Sequence, residues 1–288
     1  MAHRFQYTVI SILSAVLQKC GLRCTRKFGK MLGLLLMLQT KRRMITYDNI
    51  SKAYPGHSDE WKGALVRGAY VNLGITFAEM LYSKALSADD LINQVTFSGL
   101  DVVAERARNG LPSILLSGHF GNWEYLAMAA GVCLHKPLTI VVHPQHNAYL
   151  DAELNTIRTR FGNIVVPMHK AARTLVRTIQ EGGIVAFLAD QHASADHDPQ
   201  IEFFGRPTPT YSAPAALALK FNVPMFLGTA VRHDTGKYSV NVQPVPSADL
   251  SDNPESVIEL THRHVAMLES EIRANPHLWS WQHRRWRM

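Results

Sequence analysis

Residues 114–130 read ILLSGHFGNWEYLAMAA. Ile114-Leu115-Leu116 is a short apolar strand, and Gly118-His119-Phe120-Gly121 is a tight turn. Asn122 then caps a helix running from Trp123 to Ala130, and Gly131 closes it. Outward from this unit the alternation repeats. Strands are expected at 138–142, 164–166, 184–189, 223–231 and 238–242, and helices at 148–161, 170–181, 213–221 and 254–274, with a long loop before 213. Upstream, 49–84 is helical, interrupted at Tyr54-Pro55-Gly56 and restarted by Ser58 as cap with Asp59 and Glu60 in the first turn. Strands alternating with helices give an α/β fold, a central mostly parallel sheet flanked by helices, with ligands beyond the carboxyl ends of its strands.

Composition narrows the class. The 288 residues carry a net charge of +7, with 47% hydrophobic and 18% charged residues. That balance excludes a disordered chain, a collagen and a disulfide scaffold. No apolar run suits a channel or transporter of many spans. Cys20, Cys24 and Cys133 are odd in number and lack zinc-finger spacing, so they read as reduced thiols of a cytosol-facing protein.

Positive charge gathers at the start. Nine basic residues, from Arg4 to Arg43, precede the first acid, Asp48. They flank two apolar stretches, 7–17 and 31–38, both short of the ~20 residues that cross a bilayer. No small-residue cleavage site marks a signal peptide. A membrane-anchoring helical region over 1–45 is expected, either spanning or lying on an anionic membrane surface, and 46–288 form a single catalytic domain. An ordinary first helix with a solvated basic face is the competing reading. Nucleic acid is not the expected partner, because the basic residues interleave with Leu and Ile rather than with stacking aromatics.

The chemistry-bearing pair is His119 and Glu124, a His-x4-acid arrangement across a strand end and a helix start. That spacing lets the carboxylate reach one imidazole nitrogen and raise the basicity of the other, as a general base requires. The surrounding glycines and the exposed amides at the helix N-terminus are candidates for holding an oxyanion. The same residues also suit a packing histidine beside a surface glutamate.

LLSGHFGNWEYLA (115–127) resembles the signature block of the bacterial late acyltransferases of lipid A biosynthesis, the lauroyl/myristoyl transferases within the glycerolipid-acyltransferase-like fold. Further blocks follow in the family's order. RRMITYDNISKAYPGHSDEW (42–61) is similar to its Arg-rich entry, and Glu79 to its downstream acid. LADQHA (188–193), FFGRPTPTYSAPAALA (203–218) and WSWQHRRW (279–286) resemble its later blocks. The resemblance implies acyl transfer from acyl-carrier protein, or acyl-CoA, to a hydroxyl of a membrane-bound lipid A precursor, without a cofactor or metal. It places the work at the cytoplasmic face of the inner membrane.

In the family's terms His119 is the base and Glu124 its partner. The family's Arg falls on Arg158, with Arg160 as a rival, and its Asp on Asp190. Arg158 then holds a substrate phosphate or orients Glu124. Gly121, Asn122, Arg206 and Thr210 complete the expected substrate-binding or orienting set, Arg206 toward an acceptor phosphate or the carrier's acidic helix. Phe203 and Phe204 read as packing. His143 stands where the family commonly has Arg. His143/His146 and His192/His197 lack the Cys or carboxylate that would complete a zinc set. Trp279, Trp281 and Trp286 with Arg284, Arg285 and Arg287 resemble an interfacial aromatic-plus-basic edge, or equally core. Other acceptors, namely another glycolipid or a lysophospholipid, fit the same dyad. A non-catalytic membrane lipid-binding protein and a His-rich metallohydrolase are the readings from other classes.

Overall fold

A computed structural model describes residues 2–286 apart from 192, 195 and 197. The first N-terminal apolar stretch and most of the second fall in one long element, α1 (Ala2–Leu36), broken at Gly21, whose φ of 78° interrupts the helix. After it come α2 (Thr40–Ala53) and α3 (Asp59–Tyr82), parted at Tyr54-Pro55-Gly56 as expected. The Ser58 hydroxyl accepts from the Trp61 N–H, so the expected cap is formed. The short helix α4 (Ala88–Ile92) leads into β1 (Val95–Ser98) and α5 (Leu100–Arg108), neither expected from the sequence. β1 is a four-residue strand at the sheet's edge, too short for its alternation to stand out.

The α/β alternation then runs through β2 (Ser113–Ser117), α6 (Trp123–Cys133), β3 (Leu138–Val142), α7 (Ala148–Thr159), β4 (Ile164–Pro167), α8 (Ala171–Gln180) and β5 (Ile184–Leu188). The supposed long loop contains a hairpin, β6 (Gln200–Phe203) and β7 (Arg206–Pro209). Pro207 and Pro209 disguise it, but a two-stranded ribbon outside the main sheet tolerates missing N–H donors. The chain continues through α9 (Ala213–Phe221), β8 (Met225–Arg232), β9 (Tyr238–Pro244) and α10 (Pro254–Ala274). Gly131 does not end α6. It lies inside the helix, where a Cβ would come within 2.3 Å of Asn163 Oδ1, so close approach rather than termination calls for glycine.

The main sheet has seven strands in the order β1-β9-β8-β2-β5-β3-β4, all pairs parallel except β8/β9. One face is buried under α5, α6 and α7 through residues such as Val103, Ala129 and Ile157. The other is buried under α8, α9 and α10 through Leu175, Ala215 and Leu268. Trp279 and Trp281 belong to that second core at 1% and 0% exposure, and Arg285 is buried beside them, which removes them from any interfacial edge. Arg287 lies outside the described residues.

α1 packs on α3 backbone to backbone: a Cβ on Gly33 would stand 2.2 Å from Tyr70 O, and one on Gly74 2.3 Å from Gly29 O. Gly33→Val is therefore expected to cost about 1–3 kcal/mol by overpacking. A thermal scan should show a lower midpoint, and an unchanged midpoint would mean that the contact is not held.

Candidate active site

Parallel pairing builds the site. Ser117 on β2 is in register with Leu188 on β5, so the chain leaves both strands side by side, with His119 and Asp190 each two residues further on. There His119 Nδ1 lies 2.7 Å from Asp190 Oδ1, and the His119 backbone N–H donates to Oδ2 at 2.8 Å. Trp279 Nε1 donates to the same Oδ2 at 2.8 Å. The carboxylate side chain is 1% exposed and the imidazole 25%, so one ring nitrogen is fixed in the interior and Nε2 is left for chemistry.

The carboxylate expected at the imidazole, Glu124, is elsewhere. Arg158 grips it with a two-pronged contact, Nη2 to Oε1 at 2.7 Å and Nε to Oε2 at 3.0 Å, and Trp123 Nε1 donates to Oε1 at 3.2 Å. Burial works against the Arg158 charge, but Glu124 beside it outweighs that and holds its pKa above the usual value. Arg160 points to other partners: it donates to Ser83 O and lies over the Phe161 ring. The spacing from His119 to Glu124 thus puts both side chains at one site, while the imidazole's own hydrogen bond comes from a strand 71 residues away.

Several groups hold the turn in shape. Gly121 has φ of 58°, and a Cβ there would stand 1.7 Å from Ala230 O, so only glycine fits. Its N–H donates to Leu278 O, and its carbonyl accepts from the Thr76 hydroxyl. Ser280 N–H donates to His119 O, and Phe120 bridges to Trp279, so the C-terminal segment pairs with the turn. The Phe120 N–H goes to Gly118 O. The amides of His119, Phe120 and Gly121 are therefore all engaged within the protein, which leaves none of these three to hold an oxyanion.

Asn122 caps α6 as expected, accepting from the Tyr125 N–H, and its Nδ2 donates to Glu79 Oε2. Glu79 is fully buried on α3 and also receives Arg26 Nε at 2.6 Å and the Tyr238 hydroxyl, with Arg232 Nη2 at 3.7 Å. Burial, reinforced by Glu79, pushes the Tyr238 hydroxyl far up. Arg26, one of the nine early basic residues, is thus committed to an internal ion pair rather than to solvent or lipid. Its signal was absent from the sequence, because nothing local links it to an acid 53 residues on.

A cavity of about 550 Å³ opens at His119. Its walls are apolar, with Leu115, Ile140, Ala186 and Phe226 from the sheet and Leu126, Ala127 and Ala130 from α6. His119, His143 and Gln191 lie beyond the carboxyl ends of β2, β3 and β5, and with His146, His283, Glu124 and Arg158 they make its polar end. The remaining expected residues lie apart. Arg206 is exposed on β7 and donates to Lys52 O, and Thr210 is buried, donating to Thr208 O and accepting from Arg285. Neither lines the cavity. His192 and His197 lie outside the described residues.

A family model described as bacterial lipid A biosynthesis acyltransferase matches residues 2–288. The chain belongs to that family. It is 23% identical over 258 residues to lipid A biosynthesis acyltransferase 1 of Shigella flexneri, a match covering 88% of this chain and 77% of that protein. It is 24% identical over 187 residues to the lipid A biosynthesis myristoyltransferase of Escherichia coli K12, covering 65% of this chain and 55% of that one. This lipid A acyltransferase family member is accordingly an acyltransferase, and its polar cluster above an apolar cavity is the candidate site for that activity.

Asp190 offers a test of the geometry. Burial alone would raise its pKa, but the His119 ring, the hydrogen bonds from His119 and the Trp279 donor together leave it below the ordinary carboxylate value. A lowered native pKa contributes stability above the unfolded value of about 3.9 and loses it as pH falls through the native one. Asp190→Asn lacks that contribution. The stability gap between the two proteins should narrow as pH falls below about 4, measured by urea unfolding. A gap that ignores pH would mean the carboxylate is not held this way.

Proposed function

We propose that this acyltransferase moves a fatty acyl chain from acyl-carrier protein, or from acyl-CoA, to a hydroxyl of a lipid A precursor, with His119 as general base. The observation that carries the reading is the His119–Asp190 pair at the polar end of a 550 Å³ apolar cavity, in a chain of this family. Asp190 fixes Nδ1, so Nε2 takes the proton of the acceptor hydroxyl. The oxygen forms its bond to the thioester carbonyl, and the tetrahedral intermediate breaks the C–S bond. The departing thiolate receives the proton back from the imidazolium.

The cavity suits the chain to be moved. A roughly twelve-carbon chain has ~10 methylenes, worth ~0.8 kcal/mol each on burial. Arg158 holds Glu124 beside the base, where the pair shapes the polar end, and the histidines 143, 146 and 283 line the approach for an acceptor.

The anchoring role of residues 1–45 is part of the same reading, with the catalytic domain on the cytoplasmic face of the inner membrane. Among the described residues no helix is long and apolar enough to cross a membrane. Phe5, Val9, Ile12 and Val16 instead form an exposed apolar stripe along α1, followed by exposed Lys19, Arg23, Lys27 and Lys30. This pattern favours a helix lying in the interface of an anionic bilayer. The start of α1 is tied to the segment beside the cavity's polar end, since Asn147 donates to His3 O and the Tyr7 and Tyr149 rings are 5.8 Å apart.

His119→Ala should lower turnover by about 10²–10⁴-fold while leaving vesicle flotation intact. Thiol release from acyl-loaded carrier protein in the presence of a lipid A precursor is the measurement, and retention of most of the activity would sink the base assignment. Ala186→Phe, projecting into the apolar wall, should shift donor preference toward shorter chains in a competition assay. Unchanged preference would mean the chain binds elsewhere.

A further inference from the structure

The Asp190 carboxylate has a second side. Behind it lies a cavity of about 10 Å³, walled in part by Ser117, Phe203, His264, Leu268 and Arg285, with room for roughly one water. An anion buried this deeply is costly unless a cation balances it. His264 on α10 cannot do so: burial pushes its pKa down to about 4, so it is neutral at physiological pH. Arg285 is the one Lys or Arg on that wall among the described residues.

Its placement is built rather than incidental. The side chain is buried, Nη1 donates to Pro209 O at 2.6 Å, Nη2 to Thr210 Oγ1 at 2.8 Å, and the guanidinium lies 5.4 Å from the Phe203 ring centroid. Two polar atoms on the cavity's wall residues, Arg285 Nε and His264 Nε2, are buried without a hydrogen-bond partner. A buried cation with an unspent donor, next to a buried anion, is a costly arrangement unless it serves that anion.

We propose that Arg285 is a positioning residue of the acyl-transfer site, its fixed charge behind Asp190 balancing the carboxylate so that His119 rests as a neutral imidazole, ready to take the acceptor's proton. This rests on the reading of His119 as the base. Without the cation, the cheapest remedy for a lone buried carboxylate is a proton on the neighbouring imidazole, which disarms the base. Burial itself disfavours the Arg285 charge and brings its pKa down to about 10, with Asp190 supporting the charged form, so the guanidinium stays charged at neutral pH. Among the described residues, the titratable groups facing Asp190 are His119 from the turn after β2, His264 from α10 and Arg285 from the C-terminal segment.

The test is the pH profile of kcat/KM, with carrier protein bearing a roughly twelve-carbon chain and a lipid A precursor as acceptor. In Arg285→Met and Arg285→Gln the acid limb should move up by about one pH unit or more, with recovery at high pH, while Arg285→Lys keeps the limb near that of the parent. A limb that stays put in Met and Gln, or that moves as far in Lys, would overturn the proposal. A stability cycle with Asp190→Asn reads the same coupling without activity: Arg285→Met should be partly rescued by Asp190→Asn, even where the single variant folds poorly, whereas simply additive losses would count against it. Loss of turnover in His119→Ala with an unmoved limb removes this inference alone. Full turnover in His119→Ala removes both.

Discussion

The site depends on the register between two parallel strands. Because Ser117 pairs with Leu188, the chain emerges from β2 and β5 at the same height, and His119 meets Asp190 with no adjustment. A slip of one residue would turn every side chain of a strand to the other face and carry Asp190 away from the imidazole. Both faces of the sheet are buried, so that slip would also drive core residues such as Ile114 and Val185 into the opposite layer, where nothing is shaped to receive them. The packing that stabilises the fold thereby fixes the geometry of the candidate base.

Around that register each buried carboxylate is met by its own set of donors. Glu79 is met by Arg26 and, at longer range, Arg232. Glu124 is met by Arg158, and Asp190 by His119 with Arg285 behind. Each carboxylate would be expensive alone, and each ties together elements distant in sequence. The Glu79 set joins α1, α3, the α6 cap and β9. One buried polar network thus joins the N-terminal helix to the turn that carries His119.

Much of this was legible in the chain. Where local signals are strong, as in the apolar run 138–142, the Ser58 and Asn122 caps or the amphipathic 254–274, the expected elements formed within a residue or two. Elements whose patterning is set by a distant partner were missed: the edge strand β1, and the proline-bearing hairpin β6/β7. The tryptophans near the C-terminus look the same in sequence whether they face lipid or core. Only the folded chain, with Trp279 bridged to Phe120 and Trp281 fully buried, shows those two to be core.

The sequence by itself determined the α/β alternation, the strand–turn–helix bearing His119, and the family, because periodicity, caps and ordered motif blocks are local properties of the chain. Only the tertiary structure decided which carboxylate the imidazole uses, that Glu124 belongs to Arg158, and that Arg285 stands behind Asp190. Spacing along the chain limits which groups can meet only within a turn or two. Across 71 residues, contact is set by strand register and packing, and neither is written at any single position.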